Sequence, residues 1–265
     1  MILFAASSRG KEAPTGRMNR NHLKLIACAC MFCDHMGLLL FPGAPVLRYI
    51  GRLAMPMFAF FIGEGCRHTR SRKKYLLRLG GLAVFCQAVF AASSLLQGQG
   101  AGPYSDVWFF NVLFTFTLAC PGCFAVLDLK RALSAGRREA AAKSGALFAL
   151  WLVCACAFTF FAWRQRTEEG WSLCLDFGLF GLLLPVCAVL FDAPARRAFV
   201  LALALTAYCF MWSAYMPYVW FSLLSFPLLL AYNGKGGSPR LKPAFYLFYP
   251  AHLGLLYLVS LLAGV

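Results

Sequence analysis

Runs of apolar residues alternate with short basic or polar stretches along almost the whole chain. A helix that crosses a bilayer needs roughly 20 mainly apolar residues. Such runs fall at 23–41, 45–66, 76–97, 108–127, 145–163, 172–191, 198–213, 217–232 and 244–263. Because lipid cannot satisfy open backbone groups, the pattern predicts an all-α polytopic transmembrane helical bundle of about nine spans. The runs 198–213 and 217–232 are short, and their break rests on Met216-Pro217, where proline restricts itself and its predecessor. A kinked re-entrant pair is the alternative there, and an even number of spans requires one re-entrant segment.

The placement of lysine and arginine orients the bundle. Arg17, Arg20 and Lys24, the burst from Arg67 to Arg78, the stretch from Lys130 to Lys143, Arg196-Arg197, and Lys235 with Arg240 and Lys242 all fall on one side of the alternation. The intervening loops hold Arg48, nothing basic from Gly98 to Val107, and Arg164 and Arg166 balanced by Glu168 and Glu169. The basic side is therefore expected in the cytoplasm, with the N-terminus inside and the C-terminus outside. Asp128 to Lys143, rich in Ala and Arg, reads as a short cytoplasmic helix.

Composition agrees: 61% hydrophobic residues, 13% charged residues and a mean hydropathy of +0.68 exceed what a soluble domain of 265 residues could bury. In that setting a net charge of +15 is a topology signal rather than a nucleic-acid footprint. The twelve cysteines lie mostly inside apolar runs and read as small buried hydrophobes. Cys120-Pro121-Gly122-Cys123 has the spacing of a thiol-disulfide motif, but no second cysteine pair faces it, and helix termination at Pro121-Gly122 is the simpler reading. Residues 1–17 have no basic-then-apolar order, so no cleavable signal is expected. Met18 is a second candidate start, making 1–17 a disordered tail or start-site artefact and 18–265 a single transmembrane domain.

Charges inside apolar runs need a polar reason to be there. Gly51 to Leu79 carries the most: Arg52, Glu64 and His68 in one run, with Pro56 four residues after Arg52 inviting a kink that frees a carbonyl. Glu64 and His68 share a helix face at i, i+4 spacing, either as a tuned base or as an interfacial charge pair. In the first run Asp34 and His35 lie roughly 17 Å deep, where an aspartate can hold one imidazole tautomer. Asn111, Thr115 and Asp176 are buried polar groups that either line the same cavity or bond neighbouring helices. His252 follows Tyr249-Pro250, a kink expected to form a cavity wall. One cavity is expected to join Arg52 to His68.

These residues carry a resemblance. Leu23-Lys24-Leu25-Ile26-Ala27 followed by Asp34-His35, then Gly51-Arg52 with Pro56, Glu64, Gly65, His68 and Thr69, and finally Asn233-Gly234-Lys235 with Tyr249, Pro250 and His252 resemble the TraX family of integral membrane proteins. Met55 stands where an aromatic is expected. The family is named for a conjugation protein that acetylates the N-terminus of F-type pilin. The resemblance implies a protein of the bacterial cytoplasmic (inner) membrane that moves an acetyl group from cytoplasmic acetyl-CoA to a membrane-embedded or extracytoplasmic amine or hydroxyl. On this reading His35, held by Asp34, is the base or nucleophile, His252 and Glu64 are alternates for the base, and Arg52 stabilises the oxyanion. Arg67, Arg70, Arg72, Lys73, Lys74, His68, Asn233 and Lys235 would hold the donor's phosphates. The implied partners are acyl-CoA, membrane lipids and the acceptor; no metal or nucleic acid is expected. A proton-coupled membrane transporter is the alternative, since Asp34, His35, Arg52 and Glu64 would also serve as a proton relay.

Overall fold

The computed structural model describes residues 16–97, 109–164 and 174–263, so most of the tail 1–17 and the loops holding Arg166, Glu168 and Glu169 lie outside the described residues. The chain forms an all-α bundle. Among the described residues seven helical segments are long and apolar enough to cross a membrane: Arg20–Leu39, Pro45–His68, Arg72–Ala92, Val112–Ser134, Arg138–Ala162, Pro194–Trp212 and Pro239–Ala263. The other two apolar runs form shorter helices, Gly178–Leu190 and Pro217–Leu230.

Local chemistry explains most of the boundaries. Helix α1 (Arg20–Leu39) starts where the Asn19 side chain accepts from the backbone N–H groups of Asn21 and His22. The second run is broken into α2 (Pro45–Gly51) and α3 (Ala54–His68). The break falls at Arg52, whose carbonyl is the one that Pro56 cannot serve and its ring would strike, as the sequence implies. Helix α4 (Arg72–Gln97) follows. Helices α5 (Val112–Ser134) and α6 (Arg138–Arg164) then correct two expectations. Pro121 lies inside α5 and does not end it, and Asp128–Lys143 is not a separate helix but the end of α5, a turn and the start of α6. Buried neighbours stabilise α5 enough to carry an internal proline, a cost borne only where packing compensates.

Two short strands, β1 (Phe109–Phe110) and β2 (Cys174–Leu175), pair in parallel just before α5 and α7 (Gly178–Leu190). Helix α8 (Pro194–Trp212) is followed by a 3-10 turn at Pro217–Leu224, α9 (Ser225–Leu230), and α10 (Lys242–Ala263). Helix α3 is the hub, packed against α1, α5 and α7, with Met57, Ala59 and Phe60 fully buried. By contrast Leu150 and Val153 of α6 and Leu247 and Leu258 of α10 are exposed, as a lipid-facing surface requires.

The two ends of the bundle differ in charge. Arg67 and Lys130 meet Asp192, Arg72 meets Asp128, and the backbone of Met18 pairs with Ala231 and Asn233, so the basic segments expected on one side do gather at one end. The turn after α1, the α2–α3 break, and both strands lie toward the other end.

Candidate active site

Helix α1 presents Asp34 and His35 about 100° apart, so they face different neighbours. His35 turns toward α10, where its Nδ1 lies 2.7 Å from Nε2 of His252. Nδ1 of His252 lies 2.7 Å from the carbonyl oxygen of Phe248, one turn back on α10, and the rings of Phe248 and His252 stack at 4.6 Å. A carbonyl only accepts, so Nδ1 of His252 is the donor there. Neutral His252 then offers Nε2 as an acceptor, and His35 must donate from Nδ1. The consequence is that Nε2 of neutral His35 carries the lone pair.

Asp34 meets arginines rather than His35 alone: its carboxylate is shared with Arg52 and Arg48. It turns toward α2, where Nη2 of Arg52 meets both carboxylate oxygens at 2.6 and 2.8 Å and Nη1 of Arg48 lies 3.1 Å away. Gly51 makes this approach possible, because a Cβ there would overlap the Asp34 carboxylate. Arg52 also stands 5.5 Å from the ring centre of Tyr218, and its buried Nε has no hydrogen-bond partner. His35 and His252 are buried, whereas Asp34 and its arginines are partly exposed.

A second polar cluster surrounds Glu64, which is 1% exposed. Arg197, itself buried, contacts Oε1, Tyr232 donates to Oε2 at 2.8 Å, Arg20 lies 3.4 Å from Oε2 and His68 lies 3.6 Å from it. The Glu64–His68 pairing read from the i, i+4 spacing is present. Held by two arginines and a tyrosine, the Glu64 carboxylate is a counter-charge that ties α3 to α1, to α8 and to the segment just after α9.

One cavity of about 1480 Å³ connects the two clusters, lined by Arg20, Lys24 and His68 toward the basic end and by His35, Arg52 and Asp176 toward the other. That matches the expected union of Arg52 with His68. The segment before His252 forms part of the wall through Phe248 and Tyr249, while His252 itself is not among the lining residues and meets the cavity through its contact with His35. Asp176 lines it too; its backbone oxygen accepts from the Thr115 hydroxyl. Asn111 caps α5 and bonds the Ala83 carbonyl, so it serves helix packing.

The residues expected to hold phosphates mostly stand elsewhere. Arg67 bonds the carbonyls of Val189 and Phe191 and the Asp192 carboxylate, closing the end of α7. Arg72 is bidentate to Asp128, and Arg70, Lys73 and Lys74 are exposed outside the cavity. Asn233 accepts from the backbone N–H of Lys235 in a turn whose Gly234 has φ +71°, and neither Asn233 nor Lys235 lines the cavity. Only His68 of that set does. The sequence marked Arg197 only as an orientation signal and did not single out Tyr232, because both meet Glu64 from far along the chain, across 133 and 168 residues.

The fold and this constellation define a polytopic membrane protein with His35 on the wall of an intramembrane cavity and the buried His252 bonded to it. The chain belongs to the TraX protein family, whose sequence profile matches residues 19–260. It is 30% identical over 256 residues to a probable fimbrial assembly protein FimC, serogroup H1, of Dichelobacter nodosus, covering 88% of this chain and 92% of that protein. It is also 51% identical over 41 residues to an uncharacterized protein of Rickettsia prowazekii (strain Madrid E), 16% of each chain. No solved structure matches.

Proposed function

We propose that the protein is a transmembrane acetyltransferase of the bacterial cytoplasmic membrane, taking its acetyl group from acetyl-CoA at the basic, cytoplasmic end. The observation that carries the reading is the chain Phe248 carbonyl, His252, His35, which leaves an oriented basic nitrogen at a cavity wall. The acceptor's amine or hydroxyl gives its proton to Nε2 of His35 as its nitrogen or oxygen bonds to the acetyl carbonyl carbon. The oxyanion so formed takes a hydrogen bond from Arg52, which has donors beyond those used on Asp34. Collapse breaks the carbon–sulfur bond, and the imidazolium proton passes to the departing thiolate, releasing coenzyme A. Throughout, Nδ1 of His35 keeps its bond to His252, so the positive charge formed on His35 meets a prepared acceptor.

The acceptor belongs at the end of the cavity lined by Arg52 and Asp176, where a membrane-embedded or extracytoplasmic group would arrive. Fimbrial subunits are the first candidates, since the Dichelobacter nodosus relative is named a probable fimbrial assembly protein. The test is mass spectrometry of membrane proteins, surface filaments and glycans from cells with wild-type protein, with His35→Ala, and without the gene. The expected result is an acetyl adduct present only with the wild type. If no adduct is lost, and the protein instead moves a substrate into proteoliposomes without consuming acetyl-CoA, the proton-coupled carrier replaces this reading.

A further inference from the structure

The wall of the cavity at its basic end has more positive charge than the protein itself compensates. Arg20, Lys24, Arg78 and Lys242 all line it. Arg20 shares Glu64 with Arg197 and His68. Among the described residues Lys24, Arg78 and Lys242 have no carboxylate within ion-pair distance. Lys24 stands instead 5.2 Å from the ring centre of Phe245 and 5.7 Å from that of Phe61, with Arg20 and Lys242 close enough for their charges to reach it. Arg78 spends one donor on the Lys74 carbonyl. The 22-residue helix α10 begins at Lys242 and adds its positive end to the same mouth. Cations gathered at a cavity with low-dielectric walls repel one another and concentrate anions.

We propose that Lys24, Arg78 and Lys242, with Arg20, form a subsite for the phosphates of a multiply phosphorylated ligand, in place of the Arg70-to-Lys74 segment, whose basic side chains lie outside the cavity. Length selects the ligand class. Lys24 and His35 are both on α1, eleven residues apart, which is roughly 16 Å along the helix axis. A ligand with phosphates at the first and a reacting carbonyl at the second needs an extended arm between them, as a pantetheine thioester has and a small acyl phosphate lacks. Phe61, Phe245 and Tyr75 flank the mouth as apolar surfaces for that arm. An anionic lipid headgroup offers the same phosphate chemistry from the bilayer side. The class of ligand, though not the charge argument, rests on the acetyl-transfer reading.

The test is binding of coenzyme A, which has the phosphates and arm but no acetyl group, to the purified full-length protein in phosphatidylcholine nanodiscs. The Lys24→Gln/Lys242→Gln double variant and Arg78→Gln are each expected to raise Kd about tenfold or more, as loss of charge-assisted phosphate contacts does. Lys73→Gln/Lys74→Gln should change Kd less than about twofold, because neither side chain lines the cavity, and His35→Ala should bind as the wild type does. Unchanged binding in the double variant, or an equal loss in Lys73→Gln/Lys74→Gln, overturns the subsite. In a parallel arm with phosphatidylglycerol nanodiscs, native mass spectrometry reads retained lipid. Retention by the wild type but not the double variant, with no coenzyme A binding, assigns the charge to lipid and overturns the donor subsite. The two readings fail separately. Coenzyme A binding lost in the double variant with no acetyl transfer anywhere keeps the subsite and removes the acetyltransferase. Acetyl transfer with intact binding in the double variant does the reverse.

Discussion

The Phe248 carbonyl settles which nitrogen each imidazole offers, since it can only accept from His252 and so passes a donor role to Nδ1 of His35. In the proposed reaction His252 is a positioning residue, acting only through His35. His35→Ala should lower kcat by about 10²–10⁴, the range for loss of a general base. His252→Ala should lower kcat with little change in KM and should alter the pH–rate profile, which a residue that only packs would leave in place. Steady-state kinetics of acetyl transfer across pH checks both. Glu64 presents a different residue-scale problem: it neutralises a guanidinium, Arg197, that is itself buried. Glu64→Gln keeps the shape and leaves that cation uncompensated, for which a loss of about 3–5 kcal/mol is expected. Thermal unfolding in detergent, compared with the Glu64→Gln/Arg197→Met double variant, measures it; the double variant should recover much of the loss.

At the scale of elements, the break between α2 and α3 places Arg52, and the contact of α2 with α1 depends on Gly51. Gly51→Ala should push Asp34 away from Arg52 at a cost of about 1–3 kcal/mol, typical of overpacking, visible as a lower Tm and a fall in activity together. Asp192 ties α7 to α3 and α5 through Arg67 and Lys130. Partial burial pushes its carboxyl up, but the hydrogen bonds and charges of Lys130 and Arg67 win and hold it below the usual carboxylate range. A depressed carboxyl contributes stability that is complete above its unfolded pKa of about 3.9 and lost as pH falls through its lower folded value. Because Asp192 is exposed, Asp192→Asn should cost less than about 1 kcal/mol near pH 7, and the gap to the wild type should close below about pH 4. Unfolding midpoints at both pH values check this. The helices themselves were legible from apolar runs and from proline and asparagine signals. The proline inside α5 misled because local propensity yields to burial on several sides.

For the whole molecule, basic residues from five separate segments meet at one end of one bundle. On the positive-inside rule that end is expected in the cytoplasm. In a cysteine-free background, a single cysteine at Lys235 should be blocked from a membrane-impermeant thiol reagent in intact cells. One at Arg164 should be labelled, and the opposite pattern would invert the topology. The cavity spans a basic mouth at one end and His35 with Arg52 and Asp34 deeper along the same space.

By itself, the sequence determined the all-α membrane-spanning class, the alternation of basic segments, and which polar residues stand inside apolar runs, because hydrophobic periodicity and charge cost are local properties of the chain. It also carried the family motifs. The partners of those residues were decided only by tertiary structure. His35 and His252 meet across 217 residues, Asp34 meets Arg52 across 18, and the cations of the cavity mouth come from α1, α4 and α10. Spacing along one helix says which way a side chain points, but what it meets there depends on how separate helices pack, and no local pattern encodes that.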